Sequence, residues 1–323
     1  MIIPLLIGLI GLLLLQTPVI DAENVTGLES VLQLDFESLD GLSSGAGIFL
    51  VNDDASLVVT FATADGESPL STAVIWDGET GALQDTLFIG ENQLDRALYG
   101  DSLIVARHDG ADVIDITTGE SQRVLSSDGP LLSVWASDDV ICGETQELII
   151  CADGRLAQDV PSEGVARIGR IAPPLAVTVD EDGAVSLWAM EEGRVIHRAQ
   201  DVGLAVFGAV NPGGTHLAWR DPPSNALNLL DFESGQNAEI SPLDGDYIAW
   251  ILLSDGADVI FGVDPQSARR HIWAWDAASG QKFDLGTYRD CGERQQPDWA
   301  EISQDGTALM IGCDSGIDIW RIN

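Results

Sequence analysis

The most constraining feature of this 323-residue chain is a short pattern that returns along almost its whole length. An apolar run ends in an anchor residue, often followed by Asp, and a glycine stands five residues after the anchor. The pattern reads IWDGETG at Ile75 to Gly81, VIDITTG at Val113 to Gly119, and LWAMEEG at Leu187 to Gly193. It returns as LLDFESG at Leu229 to Gly235 and AWDAASG at Ala274 to Gly280. A weaker copy, IICADG, covers Ile149 to Gly154, and the chain stops inside a seventh, IDIWRIN, at Ile317 to Asn323. The anchors are Trp76, Ile114, Ile149, Trp188, Leu230, Trp275 and Trp320, spaced by 38, 35, 39, 42, 45 and 45 residues. Such a period means that one supersecondary unit recurs and that neighbouring units bury each other's apolar faces.

The stretches between anchors read as short strands. Asp255-Gly256 separates the apolar run Ile248 to Leu253 from Val259 to Val263, and Asp305-Gly306 separates Trp299 to Ser303 from Ala308 to Gly312. Asn211-Pro212-Gly213-Gly214 stands between Ala205 to Val210 and Thr215 to Trp219. These are hairpin signals, because Gly and Asn tolerate the positive φ that tight turns need. After the first 22 residues there is no sustained helical period, so the chain is all-β. Four short strands and their turns account for the repeat length, which predicts a seven-bladed β-propeller of four-stranded antiparallel blades; six and eight blades are the alternatives. Tryptophans recurring at the repeat period read as core rather than as a carbohydrate-stacking platform.

The dipeptides Trp76-Asp77, Ile114-Asp115 and Trp275-Asp276, the Thr-Gly or Ser-Gly that follows them, and the Asp-Gly turns resemble the WD-repeat propellers. The likeness is to the degenerate versions found in exported bacterial proteins, and it covers about residues 24 to 323. It implies that the N-terminal strand completes the last blade, with Val31 to Phe36 supplying the outer strand missing after Arg321 to Asn323. The Gly-His pair that opens each unit of that family is absent, and the four histidines, His108, His197, His216 and His271, cannot build its usual buried network.

The chain carries 52 Asp plus Glu against 15 Lys plus Arg, and Lys282 is its single lysine. A net charge of -37 repels nucleic acid and anionic membrane surfaces, so neither is expected as a partner. The acids are spread out instead of gathered in a D-x-D-x-D-G loop. They read first as a solvated surface, ahead of a calcium site or a surface for basic proteins.

Ile2 to Leu15 is an apolar run of 14 residues, and Ala22 offers a small residue for cleavage. The run is shorter than the roughly 20 residues that span a bilayer and fits the core of a secretory signal, although no Lys or Arg precedes it. The expected division is 1–22, a signal peptide or N-terminal anchor, and 23–323, the repeat domain, lying outside the cytoplasm. Export makes the four cysteines readable as disulfides. Cys142 and Cys151 flank a hairpin, and Cys291 and Cys313 lie close together near the end. Three connectivities are open to them, with buried free thiols as the alternative to bridging. No C-x-x-C spacing suggests zinc or dithiol chemistry.

No nucleophile elbow, H-E-x-x-H or phosphate-binding glycine loop occurs, so no catalytic residue, cofactor or metal is expected. The chain reads as a monomeric, non-catalytic scaffold for a protein or peptide partner. The enzymatic alternative is a calcium-dependent propeller hydrolase, lactonase-like or phytase-like, with acids at the central channel. With blade strands named a to d in order, the b–c and d–a connections share one side of the disc. Arg220, Arg269 and Arg270 border b–c connections there, and Arg289 and Arg294 fall in a d–a connection with Cys291. These five arginines form the candidate partner-binding patch, for an acidic segment or a ligand carboxylate. Pairing with Asp221, Asp264, Asp290 and Glu293 is the alternative role.

Overall fold

The computed structural model describes residues 19–36, 42–64, 71–90, 93–137, 140–145, 149–152, 175–179, 184–189, 194–199, 208–211, 213–221, 224–243, 248, 250–264, 270–291, 297, 299–303, 305–313 and 315–322. The fold is all-β, and among these residues helical backbone is confined to the 3-10 turn Val25–Gly27 and to Phe36. Strand β1 (Leu28–Asp35) follows it. The first sheet then runs in chain order through β2 (Leu42–Val51), β3 (Leu57–Ala64), β4 (Thr72–Asp77) and β5 (Leu83–Phe88). The second holds β6 (Asp95–Tyr99), β7 (Ser102–Arg107), β8 (Gly110–Asp115) and β9 (Ser121–Ser126). Three strands are described in the third sheet, β10 (Ser133–Ser137), β11 (Val140–Glu144) and β12 (Ile149–Cys151). The fourth also has three, β13 (Leu175–Val179), β14 (Val185–Ala189) and β15 (Arg194–Ala199).

Four-stranded order resumes in the fifth sheet with β16 (Gly208–Val210), β17 (His216–Asp221), β18 (Ala226–Asp231) and β19 (Asn237–Pro242). The sixth is β20 (Trp250–Leu253), β21 (Val259–Val263), β22 (His271–Asp276) and β23 (Lys282–Thr287). The last sheet contains β24 (Trp299–Ile302), β25 (Ala308–Cys313) and β26 (Gly316–Ile322), and its fourth strand is β1. All pairings are antiparallel, and β1 runs along β26 from Leu28 opposite Ile322 to Asp35 opposite Gly316. The N-terminal strand therefore does join the final sheet, starting three residues earlier than Val31.

The recurring pattern is a turn with a local physical cause. In the first sheet the Asp77 carboxylate accepts the backbone N–H groups of Glu79 (3.0 Å) and Thr80 (2.7 Å), and Gly81 N–H reaches back to Asp77 C=O at 2.8 Å. Asp115, Asp231 and Asp276 cap their turns in the same way. Gly81, Gly119, Gly235 and Gly280 sit at φ between 67° and 72°, where a Cβ is disfavoured. The anchor one residue before each Asp points instead into the core. Trp76 is 3% exposed and donates its Nε1–H to Thr60 Oγ1 at 2.9 Å. Trp275 lies so close over β21 that a Cβ on Gly262 would meet its ring at 2.8 Å.

Strand periodicity sends alternate residues to opposite faces, so a middle strand can serve two neighbours. Leu103 and Val105 of β7 pack with Val59 and Ile75 of the first sheet, while Ile104 and Ala106 pack with Val134 of the third. The same division joins the fourth sheet to the fifth, the fifth to the sixth and the sixth to the seventh. It also joins the seventh back to the first, where Ile317 and Ile319 meet Phe49 and Trp76. The first strands of consecutive sheets pack on one another: β2 on β6, β6 on β10, β16 on β20, β20 on β24, and β24 on β2. Ile20 and Ala22 also belong to this packed body, ahead of residue 23 where the repeat domain is expected to begin.

Candidate functional site

The side of the sheets that carries the b–c and d–a connections is built most firmly between the sixth and seventh sheets. Tyr288 follows β23, is 2% exposed and donates its phenol O–H to Asp264 C=O at 2.8 Å, while its N–H goes to Arg270 C=O at 3.0 Å. Burial, reinforced by the nearby Asp264 charge, pushes the Tyr288 phenol well above its ordinary range. Arg289 N–H is accepted by the Asp318 carboxylate at 2.6 Å. Its guanidinium passes over Gly316 to donate to Leu34 C=O at 2.8 Å and to pair with Asp35. A Cβ at Gly316, whose φ is +149°, would stand 2.3 Å from that guanidinium and 1.9 Å from Leu34 C=O. The Asp290 carbonyl accepts Ser315 Oγ–H at 2.8 Å, and Cys291 is bridged to Cys313. Each residue of the Tyr288–Cys291 connection is thus tied to a neighbouring segment.

This geometry gives three of the five predicted arginines a place. Arg289 clamps β1 into the seventh sheet. Arg270 Nη1 lies 3.8 Å from the Asp290 carboxylate, the alternative pairing for this residue. Arg220 donates its Nε–H to Asn225 Oδ1 at 2.9 Å across the b–c turn of the fifth sheet. Arg269 and Arg294 lie outside the described residues. The described members each bond to a neighbouring loop or strand, and the Arg289 side chain is 13% exposed.

The cysteines pair as Cys142–Cys151, at directly opposed positions of β11 and β12, and as Cys291–Cys313. Two disulfides are compatible with a location outside the reducing cytoplasm. Among the described residues, no helix is long and apolar enough to cross a membrane.

The same side carries a feature that sequence reasoning passed over. Trp250 and Trp299 open the first strands of the sixth and seventh sheets, and their rings lie 5.5 Å apart at 57°. Both are half-buried, and both N–H groups are engaged, Trp250 with Pro297 C=O at 3.4 Å and Trp299 with the Glu301 carboxylate at 3.2 Å. Each ring also packs against a core cluster, Trp250 on that of the sixth and seventh sheets and Trp299 on that of the seventh and first. The signal available in the sequence was a Trp five or six residues ahead of the Asp255-Gly256 and Asp305-Gly306 turns, outside the anchor pattern.

Both sides carry charge, and on the a–b/c–d side Arg321 donates to the Asp54 and Ala55 carbonyls. The a–b and c–d turns carry Asp53, Asp54, Asp77, Glu79, Asp115, Asp231, Asp255 and Asp276. The opposite side mixes acids with Arg107, Arg220, Arg270 and Arg289. In the second sheet Arg107 (2.6 Å) and Arg123 (2.5 Å) share Asp112; burial alone would raise that carboxyl, but these two bonds hold it below its ordinary value. No group of three or more His, Cys, Asp or Glu side chains among the described residues is arranged to hold a metal ion.

No protein-family model matches the chain, and comparison with curated proteins finds no match.

Proposed function

We propose that the chain is an exported propeller of the degenerate WD-repeat type, with seven blades, that acts as a non-catalytic interaction module for a protein or peptide partner. Two facts support the architecture. Anchors fall on the strand that follows the second strand of each completely described sheet, and the core passes from the seventh sheet to the first while β1 supplies the closing strand. A disc of this kind offers one rigid side of loops to a partner.

The observation that carries the functional reading is the Trp250–Trp299 pair. First strands lie innermost in a propeller, so the pair stands at the rim of the central channel on the b–c/d–a side. Half-exposed indoles with their N–H groups already bonded offer apolar and π area at little entropic cost, as at binding hot spots. The surrounding -37 charge favours a partner segment that brings a basic or aromatic side chain to these rings. The arginines then act as supports of the binding side.

The reading is tested with peptides selected from a random display library on the disulfide-intact domain. Replacing Trp250 and Trp299 together with Ala is expected to weaken them at least roughly tenfold, the scale of a hot-spot loss, while Leu83→Ala on the outer strand β5 leaves them unchanged. Equal binding to the Trp variant overturns the site. Calcium-dependent hydrolysis of a lactone or phosphate ester by the purified chain overturns the non-catalytic assignment.

A further inference from the structure

The segment just after the N-terminal apolar run is built into the core. Ile20 is 1% exposed and belongs to the cluster that joins Val259 and Phe261 of β21 to Leu309 and Ile311 of β25. Its N–H donates to Gly306 C=O at 2.8 Å, and Ala22 N–H donates to the Asp258 carboxylate at 3.0 Å. Those acceptors lie in the a–b turns of the seventh and sixth sheets, so the segment bridges two neighbouring sheets. Val19 packs on Gly306, where a Cβ would stand 3.1 Å from its Cγ1.

The segment is also closed on itself. Asp21 N–H donates to Asn24 Oδ1 at 2.9 Å, and the Asp21 carboxylate accepts the N–H groups of Glu23 (2.9 Å) and Asn24 (3.0 Å). Asn24 Nδ2 returns to Val19 C=O at 2.8 Å. This reciprocal cap leads into the Val25–Gly27 turn and then into β1, with Val25 fully buried. Hydrolysis after Ala22 would remove Ile20 from the core and half of the cap, leaving a cavity between the sixth and seventh sheets.

We propose that Val19–Ala22 is part of the mature domain and that the peptide bond hydrolysed on export lies on the N-terminal side of Val19. A signal peptidase would consume one water there, leaving a carboxylate on the leader and a free amine on a chain that still contains Ile20. Ala22, the small residue that suggests cleavage from sequence alone, is instead a structural position.

The test is to export the full chain from a bacterial host and determine the N-terminus of the folded product by intact mass and Edman sequencing. A processed product beginning at Val19 or earlier supports the proposal; an unprocessed chain, or a product beginning at Ile20 or later, overturns it. A second measurement keeps the structural half open to refutation. Chains starting at Val19 and at Glu23, and Ile20→Ala in the longer one, are compared by thermal melting. The Glu23 start and Ile20→Ala are expected to lower Tm by roughly 5 °C, or to prevent folding, and equal melting temperatures overturn the proposal.

Discussion

The guanidinium of Arg289 donates to the backbone carbonyl of Leu34 at 2.8 Å, joining positions 255 residues apart in the chain. Leu34 lies on β1, and Arg289 lies in the connection between the sixth and seventh sheets. One side chain therefore holds the closing strand against the sheet it completes. Arg289→Ala removes this bond and the Asp35 pair, and is expected to cost about 2 kcal/mol, the scale of hydrogen bonds to a charged group. Deleting residues 29–37 is expected to destabilise the whole domain, since it exposes β26 and opens the core containing Leu34. Urea denaturation of both variants checks this; a β1 deletion that melts like the parent would sink the closure.

Asp318 supplies a pH dependence with an unusual sign. It is 1% exposed, and burial, the largest cause, raises its carboxyl above the ordinary 3.8 despite the N–H and charge of Arg289. Such a group favours the fold most fully below its unfolded pKa, and that contribution is lost as pH rises through the higher folded value. Asp318→Asn keeps an oxygen for Arg289 N–H and removes the charge. It is expected to be more stable than the parent at about pH 7, with the difference shrinking toward about pH 3.5. Denaturation midpoints at the two pH values decide it, and a less stable variant at neutral pH refutes it.

The turn carboxylates act in the opposite direction. Backbone N–H bonds, from Thr80 first for Asp77 and from Ser279 first for Asp276, hold these groups below 3.8. Their contribution is complete above the unfolded value and lost as pH falls through the depressed folded one. Acid titration followed by NMR should show both below an ordinary aspartate, and Asp77→Asn should flatten the acid limb of the stability curve.

Gly235 isolates the backbone part of the repeat. Its φ is +67° and no atom lies within 4 Å of where a Cβ would be, so Gly235→Ala introduces left-handed strain without a clash. The expected cost is about 1 kcal/mol, read as a shift in denaturation midpoint at constant slope. A silent substitution would show that the turn relaxes.

The two bridges differ in the loop they close, 9 residues for Cys142–Cys151 and 22 for Cys291–Cys313. Chain entropy assigns about 2.5 kcal/mol to the shorter and about 3 kcal/mol to the longer. Replacing Cys291 and Cys313 with Ser is expected to destabilise more, because their connection also carries Tyr288 and Arg289. The reverse order in chemical denaturation would show that the local ties hold that connection without sulfur.

What the amino-acid sequence determined by itself is the recurring unit. Asp77 and Gly81, and their counterparts through Asp276 and Gly280, act within five residues of one another. A carboxylate cap and a left-handed glycine need no distant partner to specify a turn. The anchors are legible for a related reason: burial of Trp76 or Trp275 follows from apolar character at a regular period, whatever packs against them.

Tertiary structure decided the rest. Trp250 and Trp299 are far apart in the chain and meet because two first strands lie side by side. Ala22 N–H is accepted by the carboxylate of Asp258, 236 residues away, a contact that its small side chain does not announce. Arg289, a candidate binding residue by sequence, is found bonded to Leu34 and Asp35 of β1. Charged and aromatic side chains take their roles from whatever lies within a few ångströms, and where the last sheet packs against the first those neighbours come from opposite ends of the sequence.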